Sequence, residues 1–234
     1  MPENSDHKPD ASNKRRIKSF VIRAGRFTDS QKQAVADYWS DYVVDYEGAL
    51  FDLPSLFGND NPVVLEIGFG MGDSLLQMAQ QNPSLNYLGI EVHKPGIGKL
   101  LAGIARDGVQ NIRIVCHDAV EVLQCAIAPE SLEKVLVFFP DPWPKKRHHK
   151  RRLVQPDFMG LVCSRLRKGA TVHLATDWQN YAEWMMEVLE GLDEAENCNG
   201  PGHYWEKPDR PETKFERRGL RLGHGVWDLL YQRA

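Results

Sequence analysis

Cysteine is scarce in this chain: 234 residues hold four, Cys116, Cys125, Cys163 and Cys198, and no C-x-x-C pair occurs among them. That spacing supports neither a zinc site nor a disulfide framework, so no metal is expected. Long hydrophobic runs are missing as well. The longest apolar stretch, near Val135 to Phe139, falls far short of the roughly 20 residues of a membrane helix. The opening MPENSDHKPD has no apolar core of the secretory kind, and a cytoplasmic chain with no membrane partner is expected. Neither sign of charge dominates, with 29 Lys and Arg against 32 Asp and Glu for a net charge of −3. A composition of 42% hydrophobic and 26% charged residues excludes collagen-like and wholly disordered classes. The near-neutral average hides strongly uneven segments, so local charge says more about partners than the total does.

What is present begins with a basic segment. Lys14 to Arg26 carries six Lys or Arg and no acid, after a polar opening that cannot build a core. Residues 1–30 are therefore read as a mobile basic arm and residues 31–234 as one domain. Ala34, Val35, Tyr38, Trp39, Tyr42, Val43 and Tyr46 recur at the spacing of an amphipathic helix. From Pro62 onward apolar runs and helical patterns alternate. VVLEIG leads into the loop GFGMG, NYLGIE ends at Glu91, NIRIVCHD ends at Asp118, KVLVFFPD ends at Asp141 and ATVHLATD ends at Asp177. A helix starting near Pro156 and stopping at Gly169 precedes the last of these. Two further strands are expected near Lys214 to Arg217 and Val226 to Tyr231. The alternation predicts an α/β fold with a doubly wound, mostly parallel seven-stranded sheet and helices on both faces.

Every expected strand of the parallel set ends in an acid: Glu66, Glu91, Asp118, Asp141 and Asp177. Sheets of this kind bind ligands at the carboxyl ends of their strands. Capping accounts for some of these acids, with Asp73 and Asp177 each standing just ahead of a helix, but hardly for five at one rim. Gly68, Gly70 and Gly72 give a loop whose backbone can approach a ligand closely. The dinucleotide fingerprint needs its third glycine at the position of Asp73, and here it comes one residue early, which disfavours a nicotinamide cofactor. Glu91 lies where a carboxylate can accept hydrogen bonds from ribose hydroxyls, and Asp118 is available to the exocyclic amine of an adenine. These features resemble the class I methyltransferases that bind S-adenosylmethionine, whose sulfonium and ammonium suit an acidic rim.

At the fourth strand end, Phe138 to Pro144 reads FFPDPWP, with three prolines in five residues stiffening the chain around Asp141 and Trp143. Methyltransferases acting on amino groups of DNA carry a D-P-P-Y-like element there, and the order here is different. Lys145, Lys146, Arg147, His148, His149, Lys150, Arg151 and Arg152 follow, six fixed positive charges in eight residues. Alone such a run is a solvated face; beside a nucleoside pocket it makes a phosphate-binding track.

The segments LEIGFGMGDSL, GIEVHKPGIGKLL, DAVEVL, FFPDPWPKKRHHKRRLVQPDF, ATDWQNYAEWM and TKFERRGLRLGHGVWDL resemble the bacterial tRNA (guanine-N7-)-methyltransferase family from about Ser19 to Leu229. The resemblance implies transfer of methyl from S-adenosylmethionine to a guanosine of the tRNA variable loop, position 46. It places the cofactor on Glu66, Glu91, Asp118 and Asp141 beside the glycines, with Asp141 in the active-site role. It assigns substrate contacts to Lys145, Asp177, Thr213, Lys214, Phe215 and Glu216, and RNA contact to Arg147, His148, His149, Lys150, Arg151 and Arg152. Monomers and homodimers both occur in the family. Guanine N7 already presents a lone pair, so the enzyme's expected task is placement, with Asp141 and Asp177 accepting from the base and Trp143 available to stack on it. Two other classes remain: a nicotinamide-dependent oxidoreductase, and an RNA-binding module that kept the fold without the reaction.

Overall fold

Apolar runs bounded by glycines and acids become one sheet in the computed structural model, which describes residues 20, 25, 27–206, 209–213, 216–217, 223 and 225–234. Most of the basic arm and both Lys214 and Phe215 lie outside the described residues. The elements run α1 (Asp29–Tyr42), β1 (Val43–Val44), α2 (Leu53–Phe57), β2 (Val63–Ile67), α3 (Asp73–Gln81), β3 (Asn86–Ile90), α4 (Lys94–Asp107), β4 (Ile112–Val115) and α5 (Ala119–Cys125). There follow β5 (Leu132–Phe138), a 3-10 helix (Lys146–Arg151), α6 (Pro156–Arg165), β6 (Leu166–Thr176), α7 (Gln179–Glu190), β7 (Ala195–Asn197) and β8 (Trp227–Arg233).

The strand order is β1-β4-β3-β2-β5-β6-β8-β7, with β1 through β6 parallel and β8 antiparallel to both β6 and β7. Chain order reverses at β2: β3 and β4 are laid down on one side, β5 and β6 on the other. That switch point opens a crevice at the strand ends, and the loop Gly68 to Gly72 leaves β2 into it. β2 and β3 are buried throughout, as strands covered on both faces must be. The core divides accordingly into two apolar clusters. One gathers Leu100, Leu101, Ile104, Leu75 and Ile114 under α3 and α4, the other Phe158, Val162, Tyr181, Met185 and Leu189 under α6 and α7.

Several expectations need correction. The sheet has eight strands rather than seven. Val43 ends the amphipathic stripe by leaving α1 and pairing beside Ile114 as the edge strand β1, because β-branched residues fit the pleat better than a last helical turn. β7 was not expected; its three residues hold only by pairing with β8. The strand anticipated over Lys214 to Arg217 is instead a helical turn at Glu216 and Arg217, where it is described. Glu216 N–H donates to Thr213 Oγ1 at 3.1 Å, and Thr213 N–H donates to Glu216 Oε2 at 3.3 Å, a reciprocal capping box. α6 stops at Arg165 rather than Gly169, whose φ of +78° bends the early part of β6. Among the acids at the strand ends the capping carboxylate is Asp118, which accepts from Val120 N–H at 2.9 Å, and neither Asp73 nor Asp177 caps the helix beside it. Asp73 pairs with Lys99, and Gly72 and Trp178 take the cap positions.

Candidate active site

The parallel register puts the five acids side by side at one rim. In sheet order they read Asp118 after β4, Glu91 after β3, Glu66 within β2, Asp141 after β5 and Asp177 after β6, neighbouring strands being ~4.8 Å apart. Their surroundings differ sharply. Glu66 is 3% exposed, its Oε2 finds no partner among the described residues, and burial with the nearby Glu91 carboxylate pushes its pKa up to about 8. Glu91 holds the glycine loop: its Oε2 accepts from Gly70 N–H at 2.8 Å, and its Oε1 accepts from Val92 N–H at 2.7 Å and His93 N–H at 3.0 Å. A carboxylate offers about four acceptor sites, so one remains for a ligand hydroxyl. Gly68, Gly70 and Gly72 all sit at positive φ. A Cβ on Gly96 of α4 would lie 1.9 Å from Gly70 O, which is how closely the helix packs under the loop.

Between these strands opens a cavity of about 250 Å³, lined in part by Gly68, Gly70, Glu91, His117, Phe139 and Asp141. Phe20 of the amino-terminal segment forms part of its wall, a contribution that sequence pattern offered no means to see. Asp118 stands between His117 and Ala119, which line the cavity. Its own carboxylate caps α5 and borders a second groove of about 480 Å³, shared with Lys150, Arg151 and Arg152. His117 stacks on Tyr46 with ring centres 4.0 Å apart and lies 2.6 Å from Glu121.

Asp141 and Asp177 are of another kind. Asp141 is exposed, Asp177 half-buried, and neither makes a side-chain hydrogen bond to a described residue. Both remain available to a substrate. The turn bearing Asp141 is held in an unusual shape, with Phe139 at φ +52° and Trp143 at φ +43°. Left-handed backbone at residues other than glycine costs of order 1–3 kcal/mol each and persists only where surroundings impose it. Phe139 N–H donates to Ala175 O at 2.8 Å, and Trp143 lies under the Arg151 guanidinium at 5.0 Å and edge-on to His148 at 5.9 Å.

The basic run divides. Lys145, Lys146, Arg147 and Lys150 are exposed, and His148, His149 and Arg151 half-buried, on the 3-10 helix and its approach. Arg152 is different: it is 2% exposed. It donates from Nε to Pro142 O at 3.0 Å and from Nη2 to Asn180 Oδ1 at 2.7 Å, and its guanidinium lies over the Tyr181 ring. Expected as an RNA contact, it is buried and braces the FFPDPWP turn through Nε and Nη2, which distinguishes it from its exposed neighbours in the run.

A charged cluster that the sequence reading missed joins the other half of the rim. Arg210 donates to Asp228 from Nε (2.6 Å) and Nη2 (2.8 Å), and from Nη1 to Glu216 Oε2 (2.5 Å). Its guanidinium lies 5.4 Å from the rings of both Phe138 and Phe139. Buried His173 completes the set, its Nε2 2.7 Å from Asp228 Oδ1. Burial works against charge on Asp228 and Arg210, but their mutual hydrogen bonds prevail, lowering the carboxyl and raising the guanidinium, while desolvation lowers His173 and keeps it neutral. Thr213 and Glu216 thereby connect to the residues flanking Asp141. Among the described residues no cluster of three His, Cys, Asp or Glu could hold a metal ion, and no helix is long and apolar enough to cross a membrane.

Comparison with known proteins narrows the three readings. A family model described as "Putative methyltransferase" matches residues 60–229. A tRNA (guanine-N(7)-)-methyltransferase of Actinobacillus succinogenes is 52% identical over 98% of this chain and 92% of its own length. The protein of the same name in Yersinia enterocolitica is 54% identical over 94% of this chain and 92% of its own. The chain belongs to the tRNA (guanine-N(7)-)-methyltransferase family. In fold it is similar to a solved 16S rRNA methyltransferase, KamB, with a TM-score of 0.57 at 17% identity over 79% of this chain and 94% of that one. An rRNA methylase from Streptococcus thermophilus gives 0.51 at 12% identity over 74% and 87%. These likenesses place the sheet among class I methyltransferase folds, and the family membership removes the oxidoreductase.

Proposed function

We propose that the protein transfers a methyl group from S-adenosylmethionine to N7 of a guanosine in tRNA, at position 46 of the variable loop. The observation that carries this reading is the division of the rim into a buried acidic pocket at the switch point and two free carboxylates beside an exposed basic helix. The residues suit the cofactor's chemistry. An orphaned, fully buried Glu66 oxygen and the acceptor capacity left on Glu91 fit a ligand bearing cationic groups and ribose hydroxyls, and the loop offers no phosphate cradle of dinucleotide spacing. Glu66, Glu91, Asp118 and the backbone of Gly68 to Gly72 would hold it, with Phe20 and His117 against its flanks. When bound, it supplies an electrophilic methyl on a sulfonium.

The chain's own part is placement and electrostatics. Asp141 and Asp177 accept hydrogen bonds from N1–H and the amino group of guanine, which aims the N7 lone pair into the pocket; no general base is required. Alignment of this kind is worth roughly 7–11 kcal/mol. The two carboxylates also favour the positive charge that develops on the ring. The strained Phe139–Trp143 turn, held by Arg152 from one side and Arg210 from the other, keeps Asp141 at the mouth. Lys145, Arg147, Lys150 and Arg151 receive the RNA backbone. The target base must leave its tertiary pairing first, at a cost of a few kcal/mol.

The test is transfer of labelled methyl to unmodified tRNA with nucleoside analysis of the product. Label in 7-methylguanosine, lost on Asp141→Asn with cofactor affinity intact, supports the proposal. Tight tRNA binding without transfer would make the chain an RNA-binding module, and full rates for both Asp141→Asn and Asp177→Asn would refute the roles given to the two acids.

A further inference from the structure

Adjoining the target-base site, with which it shares Asp177, an open groove of about 520 Å³ lies at the ends of β6 and β8, and none of its lining is shared with the cofactor pocket. Two indoles line it. Trp178 follows Asp177 at the end of β6 and is 38% exposed, one of only two large hydrophobic side chains so exposed among the described residues. Trp227 opens β8 and pairs in register with Thr176. Neither position is loose. Trp178 N–H donates to Thr176 Oγ1 at 3.2 Å and Trp178 O accepts the first two amide bonds of α7, while a Cβ on Gly225 would lie 2.9 Å from the Trp227 ring. A single exposed indole needs no explanation, but two indoles lining one open groove at the substrate edge offer a base the kind of aromatic surface on which it stacks.

The charges around the groove identify that face. Asp177 and Glu183 put carboxylates at its border, which repels phosphate and welcomes N–H donors. Asn180, also in the lining, binds the Arg152 strut at 2.7 Å, and beyond it stand the exposed cations of the 3-10 helix. Aromatic surface with acceptors on one side and cations on the other matches a nucleotide, its base turned inward and its phosphate outward. We propose that Trp178 and Trp227 form a stacking platform for a second nucleobase of the tRNA, the one adjoining the methylated guanosine in the strand. Extraction of the guanine leaves a neighbour unstacked, and the platform takes it up. This rests on the tRNA reading above and extends it to a second base.

Base stacking on an aromatic side chain corresponds to about 5- to 140-fold in affinity. Wild type, Trp178→Ala and Trp178→Phe are compared for Kd on intact unmodified tRNA and on two transcripts with a single abasic residue, one 5′ and one 3′ of the target guanosine. Melting temperature and S-adenosylmethionine affinity serve as folding controls. The expected result is a loss in this range for Trp178→Ala, recovery of most of it in Trp178→Phe, and no difference between wild type and Trp178→Ala on one of the abasic transcripts. Equal binding of wild type and Trp178→Ala to intact tRNA would overturn the platform, and so would the same loss on all three RNAs. The parent reading fails separately. A wild type that makes no 7-methylguanosine but shows the Trp178 dependence keeps the platform and loses the reaction, whereas 7-methylguanosine with no Trp178 dependence does the reverse.

Discussion

The two halves of the rim are held together by different physics. On the β2–β3 side, the glycine loop, Glu91 and the following turn are bound through backbone N–H groups within 21 residues of one another. On the β5–β6–β8 side, the Asp141 turn and the Thr213–Glu216 box are tied through side chains that meet across longer stretches of chain, His173 with Asp228 over 55 residues and Arg152 with Asn180 over 28. A backbone-built pocket recognises a small cofactor of constant shape. Rigid loop geometry suffices there. A side-chain-built shelf must position two carboxylates against a large substrate that has to be partly opened, and it gathers its supports from wherever the fold brings them.

The largest expected effect breaks the second half and spares the first. Arg210→Met leaves Asp228 buried and Glu216 half-buried without their cation, a loss in the range of about 3–5 kcal/mol. In a chain of this size that lowers the melting temperature by roughly 6–20 °C. At a temperature where the variant is folded, its S-adenosylmethionine affinity should match wild type by calorimetry while methyl transfer to tRNA falls. Equal loss of cofactor binding would show that the two halves are one unit.

A change of middle size belongs to the first half. Glu66 keeps its proton in the folded chain up to about pH 8, against an ordinary value of 4.5. Between those values the folded state binds more protons than the unfolded one, so stability of the free protein falls as pH rises through that window. Glu66→Gln should flatten melting temperature against pH from 5 to 9 and melt higher than wild type at pH 9, while weakening S-adenosylmethionine. A parallel pH profile in the variant would mean that Glu66 is ionised and partnered in the free protein.

The smallest effect separates neighbours in the basic run. Neutralising Arg147, Lys150 or Arg151 should lower the salt slope of tRNA binding by about one unit per phosphate contact, with melting unchanged. Arg152→Gln should do the opposite, lowering the melting temperature and leaving the slope alone, since the side chain is buried and its Nε and Nη2 donors face Pro142 and Asn180. Indistinguishable slopes for Arg152→Gln and Arg147→Gln would return Arg152 to the RNA-binding face.

How much of this was legible beforehand follows from the same contrast. The glycine loop, Glu91 and the acids after each strand could be read directly because a continuous apolar run closed by an acid is a statement about one element and its end. Asp118 was placed at the right strand end, but its use as the α5 cap depends on where the next helix starts, a boundary that patterns locate only to within a few residues. β7 was invisible because three residues acquire strand geometry solely from β8 beside them. Arg210 offered no signal at all, being one arginine among many until the fold set it between two carboxylates and two phenylalanine rings.

By itself, then, the sequence determined the order of elements, the parallel winding, the position of the switch point and the row of acids at the strand ends, because hydrophobic period and glycine placement act within single elements. Only the tertiary structure decided which acids are buried and which are free, which arginine of the basic run is a strut, and that Phe20 reaches the pocket wall. Burial and ion pairing are properties of contacts between residues far apart in the chain, and a one-dimensional pattern does not encode which distant side chain will supply the partner.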